Sequence, residues 1–482
     1  MHKPVKYANF TSECVPPPGT SLTGTGIARD AQNSSPSPEV HVPYERTVAV
    51  ASFDNTERIS THLFRPDRYK QLFTALSSSG VISRGAGLSY CLASASSQGG
   101  SILSAQYNRF LGFDAQSKIV RVEPGVTMGA LFEFAVAHGL LPPVLPGYPL
   151  VTVGGAVAMN IHGKNQFRAG NFGDHVRNIG LYHPQSGEIN CGPELHPHLF
   201  RLTLGGFGLT GHITSVDVAL TSFAGRNLAV ERHNVANLVE AGHLMENLAD
   251  RSDYTYSWHN LNLRGRRFGS GTIYSEYSRK GEVSISGKRR TSFSTTKPLP
   301  CRCYNRLTVP VLCGAYQMKE KMAPRITGSE LYSAFFPFVG KELYFRLYGK
   351  RGFREYQVLF PRERWEDACS RIFEAVRQAR ALILLASLKI FRGEPSFLNF
   401  SGNGICLALD TPNKPSAFDL FARLDEITVD LGGIANISKD GRLSATTVRA
   451  MYGDRYEKFR SALRDYDPQR HFQSELRRRL DF

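Results

Sequence analysis

Three segments in the first half of this 482-residue chain carry residues whose types and spacing can grip an anion. Ile82-Ser-Arg-Gly-Ala-Gly-Leu-Ser-Tyr90 is a β-type run entering a turn whose two glycines let backbone N–H groups converge on one negative charge. Leu145-Pro-Gly-Tyr-Pro-Leu-Val-Thr-Val-Gly-Gly-Ala-Val-Ala158 opens a helix of small residues, and Gly154 and Gly155 would let it approach a pyrophosphate closely with its positive end. Asn160-Ile-His-Gly-Lys-Asn165 is a polar run that needs partners if it is buried, and Leu204-Gly-Gly-Phe-Gly-Leu-Thr-Gly211 follows it. Taken singly, each is a common turn. No G-x-G-x-x-G of the nicotinamide type follows a strand, and no G-x-x-x-x-G-K-[ST] occurs. The combination and its order are more specific than any one part.

The elements that must position these segments read as an α+β fold. Residues 1–42 are rich in Pro, Ser, Thr and Gly and predict an extended arm with a mobile stretch near 31–38. Over residues 43–225 short strands and helices mix: Val81–Ser83 runs into the glycine turn, Ile119–Val122 alternates up to Pro124-Gly125, and Met128–His138 is apolar on a helical period and stops at Gly139. Residues 226–434 carry longer amphipathic stretches: helices over Val235–Leu248, Arg364–Leu385 and Ala417–Leu431, and strands over Glu342–Tyr348 and Tyr356–Phe360. The tail, Ala445–Phe482, reads as charged helix.

Composition narrows the function classes. With 41% apolar and 11% aromatic residues the chain can bury a core, and its length suits two or three domains. Its longest apolar runs, such as Ala381–Leu388, are too short to span a bilayer, and residues 1–30 lack a basic-then-apolar leader pattern, which predicts a cytoplasmic protein. The eight cysteines are scattered; Cys301-Arg-Cys303 lacks partners at ligand spacing, so no metal site and no disulfide framework are expected. The net charge of +16 is concentrated: Arg264 to Arg354 holds 19 Lys and Arg against five Asp and Glu, a net of +14. Its centre, Gly287 to Pro300, reads as a loop.

Arg84-Gly-Ala-Gly-Leu-Ser-Tyr90, Val153-Gly-Gly-Ala156, His162-Gly-Lys-Asn165, Gly205-Gly-Phe-Gly-Leu-Thr-Gly211, Met451-Tyr452 and Asp467-Pro468 together resemble the FAD-linked oxidases of the vanillyl-alcohol-oxidase (PCMH) type, and within them the decaprenylphosphoryl-ribose oxidase branch. The resemblance covers about residues 45–260 and 340–482; residues 264–335 match poorly. It implies a two-domain α+β fold: an FAD domain over 43–225 to which 435–482 returns, and a substrate domain over 226–434 with an antiparallel sheet, flanking helices and a basic, partly disordered loop near 285–300. By the same resemblance FAD would lie against Arg84, Gly85, Ala86, Gly87, Leu88, Ser89, Tyr90, Gly147, Thr152, Val153, Gly154, Gly155, Met159, Asn160, His162, Gly163, Ile213 and Tyr452. Many relatives attach FAD through a His in the first loop. Here that loop has none and Cys91 reads as a small buried thiol, which predicts noncovalent FAD.

The resemblance also implies Lys439 and His162 as catalytic residues, with Lys439 contacting the reacting hydroxyl or taking its proton, and Lys164, Ser257, Gln357, Lys389, Cys406 and Tyr90 as substrate contacts. A lysine serves as base only where burial or a nearby cation lowers its pKa. Three departures stand out. The family's Trp-Asn before the cysteine is Asn403-Gly404, the paired His after His-Gly-Lys-Asn is Gln166-Phe167, and Cys91-Leu92 replaces a Gly-Asp after Tyr90. Flavin machinery kept beside a rewritten pocket implies oxidation of a secondary alcohol on a sugar, nucleoside or sugar-phosphate-like substrate, with the basic block helping to hold a phosphate. The electron acceptor would be O2 or a quinone-like partner. Tailoring of a specialised natural product is the alternative within the same chemistry. In another class, the +14 block with Tyr274, Tyr277, Phe293 and Tyr304 would bind nucleic acid or a membrane surface. Without a nucleic-acid fold signature, nucleic acid is not expected, while peripheral membrane contact stays open.

Overall fold

The computed structural model describes residues 46–223, 227–279 and 298–482; the expected arm over 1–42 and nearly all of the expected loop near 285–300 lie outside them. Two sheets are built from the first part of the chain. The first joins β1 (Arg46–Ala51), β2 (Arg58–Phe64), β3 (Val81–Arg84) and β4 (Gly100–Leu103) in the order β1-β2-β4-β3. Its β2–β4 and β3–β4 pairs are parallel, and the predicted run into the glycine turn is β3, at the end of the sheet but with Val81 and Ile82 buried. The second sheet is antiparallel: β5 (Phe110–Asp114), β6 (Ile119–Val122), β8 (Val176–His183), β9 (Gly187–Cys191) and β10 (His212–Ala219), ordered β5-β6-β10-β8-β9. A short pair, β7 (Leu140–Leu141) and β11 (Thr221–Ser222), lies beside it.

Two antiparallel sheets follow. β12 (Asn227–Val235), β13 (Tyr254–Asn260), β14 (Ser270–Arg279) and β15 (Ile326–Glu330) are ordered β13-β14-β12-β15. β16 (Phe353–Pro361), β17 (Leu385–Phe391), β18 (Gly404–Pro412) and β19 (Ile434–Ala435) are ordered β17-β18-β16-β19. In the last sheet the period of two sorts the residues by face. Tyr356, Val358 and Phe360 are fully buried, and the Tyr356 hydroxyl donates to Asp425 at 3.0 Å on the helix Pro415–Asp430. Glu355 and Gln357 point the other way, into a cavity.

Several expectations change. Glu342–Tyr348 is a helical turn, Leu343–Arg346, not a strand: Tyr344 and Tyr348 meet four residues apart with their hydroxyls at 2.8 Å, and that packing overrides the β preference of aromatic residues. The helix expected over Arg364–Leu385 is Trp365–Ala379; Arg380 adopts φ +49° and ends it, and Leu385–Phe391 is strand β17. Val235 closes β12, and the helix begins after Asn237, whose side chain caps the Glu240 amide. The charged tail is three helices, Ala445–Tyr452, Asp454–Tyr466 and Glu475–Leu480, broken at Gly453 (φ +55°) and at Asp467. The tail packs back on the first sheet, where Val81 bridges Phe472 and the Gly80 amide donates to the His471 carbonyl at 2.8 Å. Among the described residues no helix is long and apolar enough to cross a membrane.

Candidate functional site

The glycine segments converge on one cavity of about 1130 Å³. β3 delivers Gly85, Ala86, Gly87, Leu88 and Ser89 to its wall. Among the described residues the five amides of that loop have no protein acceptor, so they form a ready anion cradle. Gly85 lies so close to Thr152 that a Cβ there would fall 2.3 Å from the threonine Oγ1. Gly87 adopts φ +68°, and a Cβ there would meet the Arg84 guanidinium. Arg84 supports the loop from behind through Ser94, Nη1 to Oγ 3.1 Å, and does not line the cavity.

The second segment behaves differently from its expectation. The Val153 amide donates to the Val126 carbonyl at 2.8 Å, Gly154 to Pro124 at 2.9 Å, and Gly155 to the capping Thr152 Oγ1 at 3.2 Å. The first turn of the helix Val153–Met159 therefore has no spare donor for a phosphate, and Val153 itself is core. Thr152, Gly154 and Gly155 still line the cavity as small surface, with Gly147, Met159, Asn160, His162, Gly163 and Ile213. Tyr452 does not reach it: the ring is buried and its hydroxyl donates to the Ala435 carbonyl at 2.9 Å.

The opposite wall is the free face of the last sheet. Glu355 and Gln357 on β16, Ala408 and Asp410 on β18, and Leu385, Ser387 and Lys389 on β17 alternate onto it. Asn436 Nδ2 donates to Gln357 Oε1 at 2.7 Å, and Gln357 Nε2 donates to His162 Nε2 at 3.1 Å. The other His162 nitrogen, Nδ1, then donates to the Gly163 carbonyl at 3.4 Å. Burial, with the Lys389 and Lys439 cations, pushes the His162 pKa down to about 3, so the imidazole is neutral and its basic nitrogen is already engaged.

Lys439 Nζ lies 3.4 Å from Glu355 Oε1 and 4.0 Å from the centre of the Tyr90 ring. The turn carrying it is fastened to the glycine loop, because the Tyr90 amide donates to the Ser438 carbonyl at 3.2 Å. Lys389 lines the cavity with no ion-pair or hydrogen-bond partner recorded among the described residues, and burial holds its ammonium below the usual lysine range. Directly across the strands from Glu355 stands Asp410; its Oδ2 accepts from the Tyr344 hydroxyl at 2.8 Å, while Oδ1 has no partner. Burial first, and then the Glu355 charge, push the Asp410 carboxyl well up.

Lys164 closes a third side. Its Nζ sits 3.1 Å from Glu276 Oε1, 2.7 Å from the Ala334 carbonyl and 3.8 Å from the Tyr256 ring centre. Ser257 reaches the wall, but its hydroxyl is spent joining two sheets: it accepts from the Leu388 amide and bonds His259 Nε2, both at 2.8 Å. Cys406 shares the face of β18 that carries Ala408 and Asp410 but is fully buried and does not line the cavity; it lies 3.6 Å from Gln357 Nε2, its thiol pushed up to about 12 by burial. The altered positions are structural. Gln166 ties the Arg392 backbone and Asn403 accepts from the Gly393 amide, while Phe400 and Asn436 supply an aromatic and an amide. Sequence reasoning missed Glu355, Asp410, Asn436, Glu276 and Tyr256; the alternation Glu355-Tyr-Gln357 was the readable signal for the first.

Free amides converging on one spot, small residues facing them, and a cavity larger than the roughly 300–1,000 Å³ of ordinary ligand sites suit a dinucleotide with space for a second molecule. An FAD binding domain model matches residues 74–192. Decaprenylphosphoryl-β-D-ribose oxidase of Mycolicibacterium smegmatis is 31% identical over 422 residues, 83% of this chain and 89% of that protein. L-galactono-1,4-lactone dehydrogenase 1 of Oryza sativa is 30% identical over 175 residues (34% of this chain, 30% of that one) and a D-lactate dehydrogenase of Anaerostipes hadrus 32% over 124 (24% and 26%). With its anion cradle and most of its length matched in this way, the chain belongs to the PCMH-type FAD-linked oxidase family and is an FAD-dependent oxidoreductase acting on a small molecule.

Proposed function

We propose that this enzyme oxidises a secondary alcohol of a sugar, nucleoside or sugar-phosphate-like substrate to a ketone. Bound FAD would supply the hydride acceptor, its N5. The Gly85–Ser89 amides would hold the pyrophosphate noncovalently; the loop has no His, and Cys91 is a buried thiol pushed up in pKa by burial. The two-domain division at about 43–225, 226–434 and 435–482 is part of this reading, supported by sheets whose strands come from one side of residue 226 only. Seven free thiols among the described cysteines support a cytoplasmic setting. The electron acceptor would be O2 or a quinone-like molecule.

The observation that carries the chemistry is the lysine pair on the cavity wall: Lys439 held by Glu355 and Tyr90, and Lys389 without a partner. Lys439 would hold the reacting hydroxyl, with Glu355 the nearest base for its proton. Lys389, more readily neutral, would accept from or donate to a neighbouring hydroxyl. His162, with its basic nitrogen taken, would orient Gln357 and substrate as a neutral group instead of acting as general base. Asp410 Oδ1 and Glu276 Oε2, both buried without partners, suit the hydroxyl donors of a polyol.

Anaerobic flavin bleaching scanned across sugars, nucleosides and their phosphates tests the reading. Lys439→Ala should keep FAD bound and lower the reduction rate at least about 100-fold, the usual worth of a positioned acid or base. Normal reduction by a sugar-like alcohol in this variant would refute the role of Lys439; bleaching by no such alcohol in the wild type would refute the substrate class.

A further inference from the structure

The helix Thr308–Met322 faces two ways. One face is buried through Val309, Cys313 and Gln317, and Leu312 and Tyr316 beside it line the cavity. The other face is apolar and exposed: Leu307 is 82% exposed, Val311 69%, Met318 59% and Met322 77%. At about 100° per residue these four side chains fall within roughly 60° of one another, so they form a single stripe along the helix. Ile326, which opens β15 four residues after the helix ends, is also 54% exposed.

Four large apolar side chains in one row at this exposure are not a scatter of ordinary surface residues. The charges around them are of one sign. Exposed Lys319 and Lys321 flank the stripe on its two sides, exposed Arg306 stands at its start, and the helix's one acidic residue, Glu320, is buried against Arg232. The helix also lies inside the Arg264–Arg354 stretch with its net charge of +14. A second copy of the chain would bring two basic rims together, which disfavours self-association. An anionic lipid surface matches both properties, since its acyl boundary takes the stripe and its headgroups take the lysines.

We propose that the exposed face of Thr308–Met322 docks the enzyme on an anionic lipid surface, with the same helix's inner face forming part of the cavity wall. The docking does not depend on which alcohol is oxidised. The test is co-sedimentation of full-length, FAD-loaded protein with phosphatidylcholine vesicles, with and without about one-third phosphatidylglycerol. The wild type should partition to the anionic vesicles, hardly to the neutral ones, and should be released by about 0.5 M salt. Replacing the stripe (Val311→Asp, Met318→Asp, Met322→Asp) should lower partitioning about 100-fold or more, and Lys321→Glu about 10-fold, with flavin content and visible circular dichroism unchanged. No binding to either vesicle would overturn the proposal. So would equal binding by the stripe variant. A wild-type dimer that the stripe variant makes monomeric would assign the face to self-association, and sensitivity to Lys321→Glu alone would assign it to a polyanion without an apolar phase.

Discussion

Lys164→Met separates the charge on Lys164 from its packing, and its cost should depend on pH. In the wild type Glu276 is 1% exposed and held by Lys164 at 3.1 Å, with its second oxygen unpartnered. Burial pushes the glutamate up and the lysine down, and each keeps the other charged. Methionine keeps the contact with Tyr256 but leaves a buried carboxylate alone, a change that costs about 3–5 kcal/mol while the carboxylate stays ionised. Glu276 escapes that cost by taking a proton. Its folded pKa, already raised, rises further, so the folded state binds a proton that the unfolded state has released. Stability contributed in this way is present below the unfolded pKa and is lost as pH rises toward the folded one. The gap between wild type and variant should therefore widen with rising pH, by up to about 1.4 kcal/mol per pH unit wherever Glu276 is ionised in the wild type and protonated in the variant. Glu276→Gln should behave oppositely. It strands the lysine, which is relieved by losing a proton, so its penalty should stay level or shrink as pH rises. Urea unfolding followed by flavin fluorescence at pH 5, 6 and 7 reads both. A Lys164→Met penalty that does not change with pH would refute the buried ion pair.

Gly85→Ala places a Cβ 2.3 Å from Thr152 Oγ1 and must displace the group that caps the helix Val153–Met159; it should cost about 1 kcal/mol in stability and at least about 10-fold in FAD affinity, measured by flavin fluorescence titration. An unchanged affinity would mean that the loop and Thr152 separate without consequence. Acid precipitation should release FAD to the supernatant, and yellow colour retained by the pellet would contradict noncovalent binding.

How far the sequence could be read depended on the range of the interactions. The turn after Val81–Ser83, the strand Ile119–Val122 and the helix from Met128 were legible because local patterns decide them: a buried β run into glycine, alternation, and an apolar period started by the Thr127 cap. Tyr344 was misread as strand because its placement depends on partners distant in sequence, Asp410 above all. The site shows the same division. Glycine patterns located the cradle, but whether an amide is free depends on what lies opposite. Gly154 is satisfied by Pro124, thirty positions earlier, and the loop at Gly85 is not. Glu355 and Asp410 are opposed only through the pairing of β16 with β18, which a single sequence does not state.

The distribution of charge gives the clearest division of labour between pocket and surface. The Arg264–Arg354 stretch invited a role in holding a phosphate, yet of its nineteen basic residues only Lys319 and Lys341 line the cavity among those described. The cations that do face the site beside the glycine loop, Lys164, Lys389 and Lys439, come from elsewhere in the chain, and two of the three are matched by Glu276 and Glu355. Asp410 across the sheet, pushed toward its protonated form by burial and the Glu355 charge, adds hydrogen-bonding oxygens to that wall rather than charge, which favours hydroxyl recognition. Among the described residues the other basic side chains of that stretch lie outside the cavity, where an exposed apolar helix face supplies what a basic surface alone lacks for a lipid interface. Enzyme chemistry and net charge are thus physically separable here: neutralising Lys321 should change where the protein resides and leave flavin reduction unaltered.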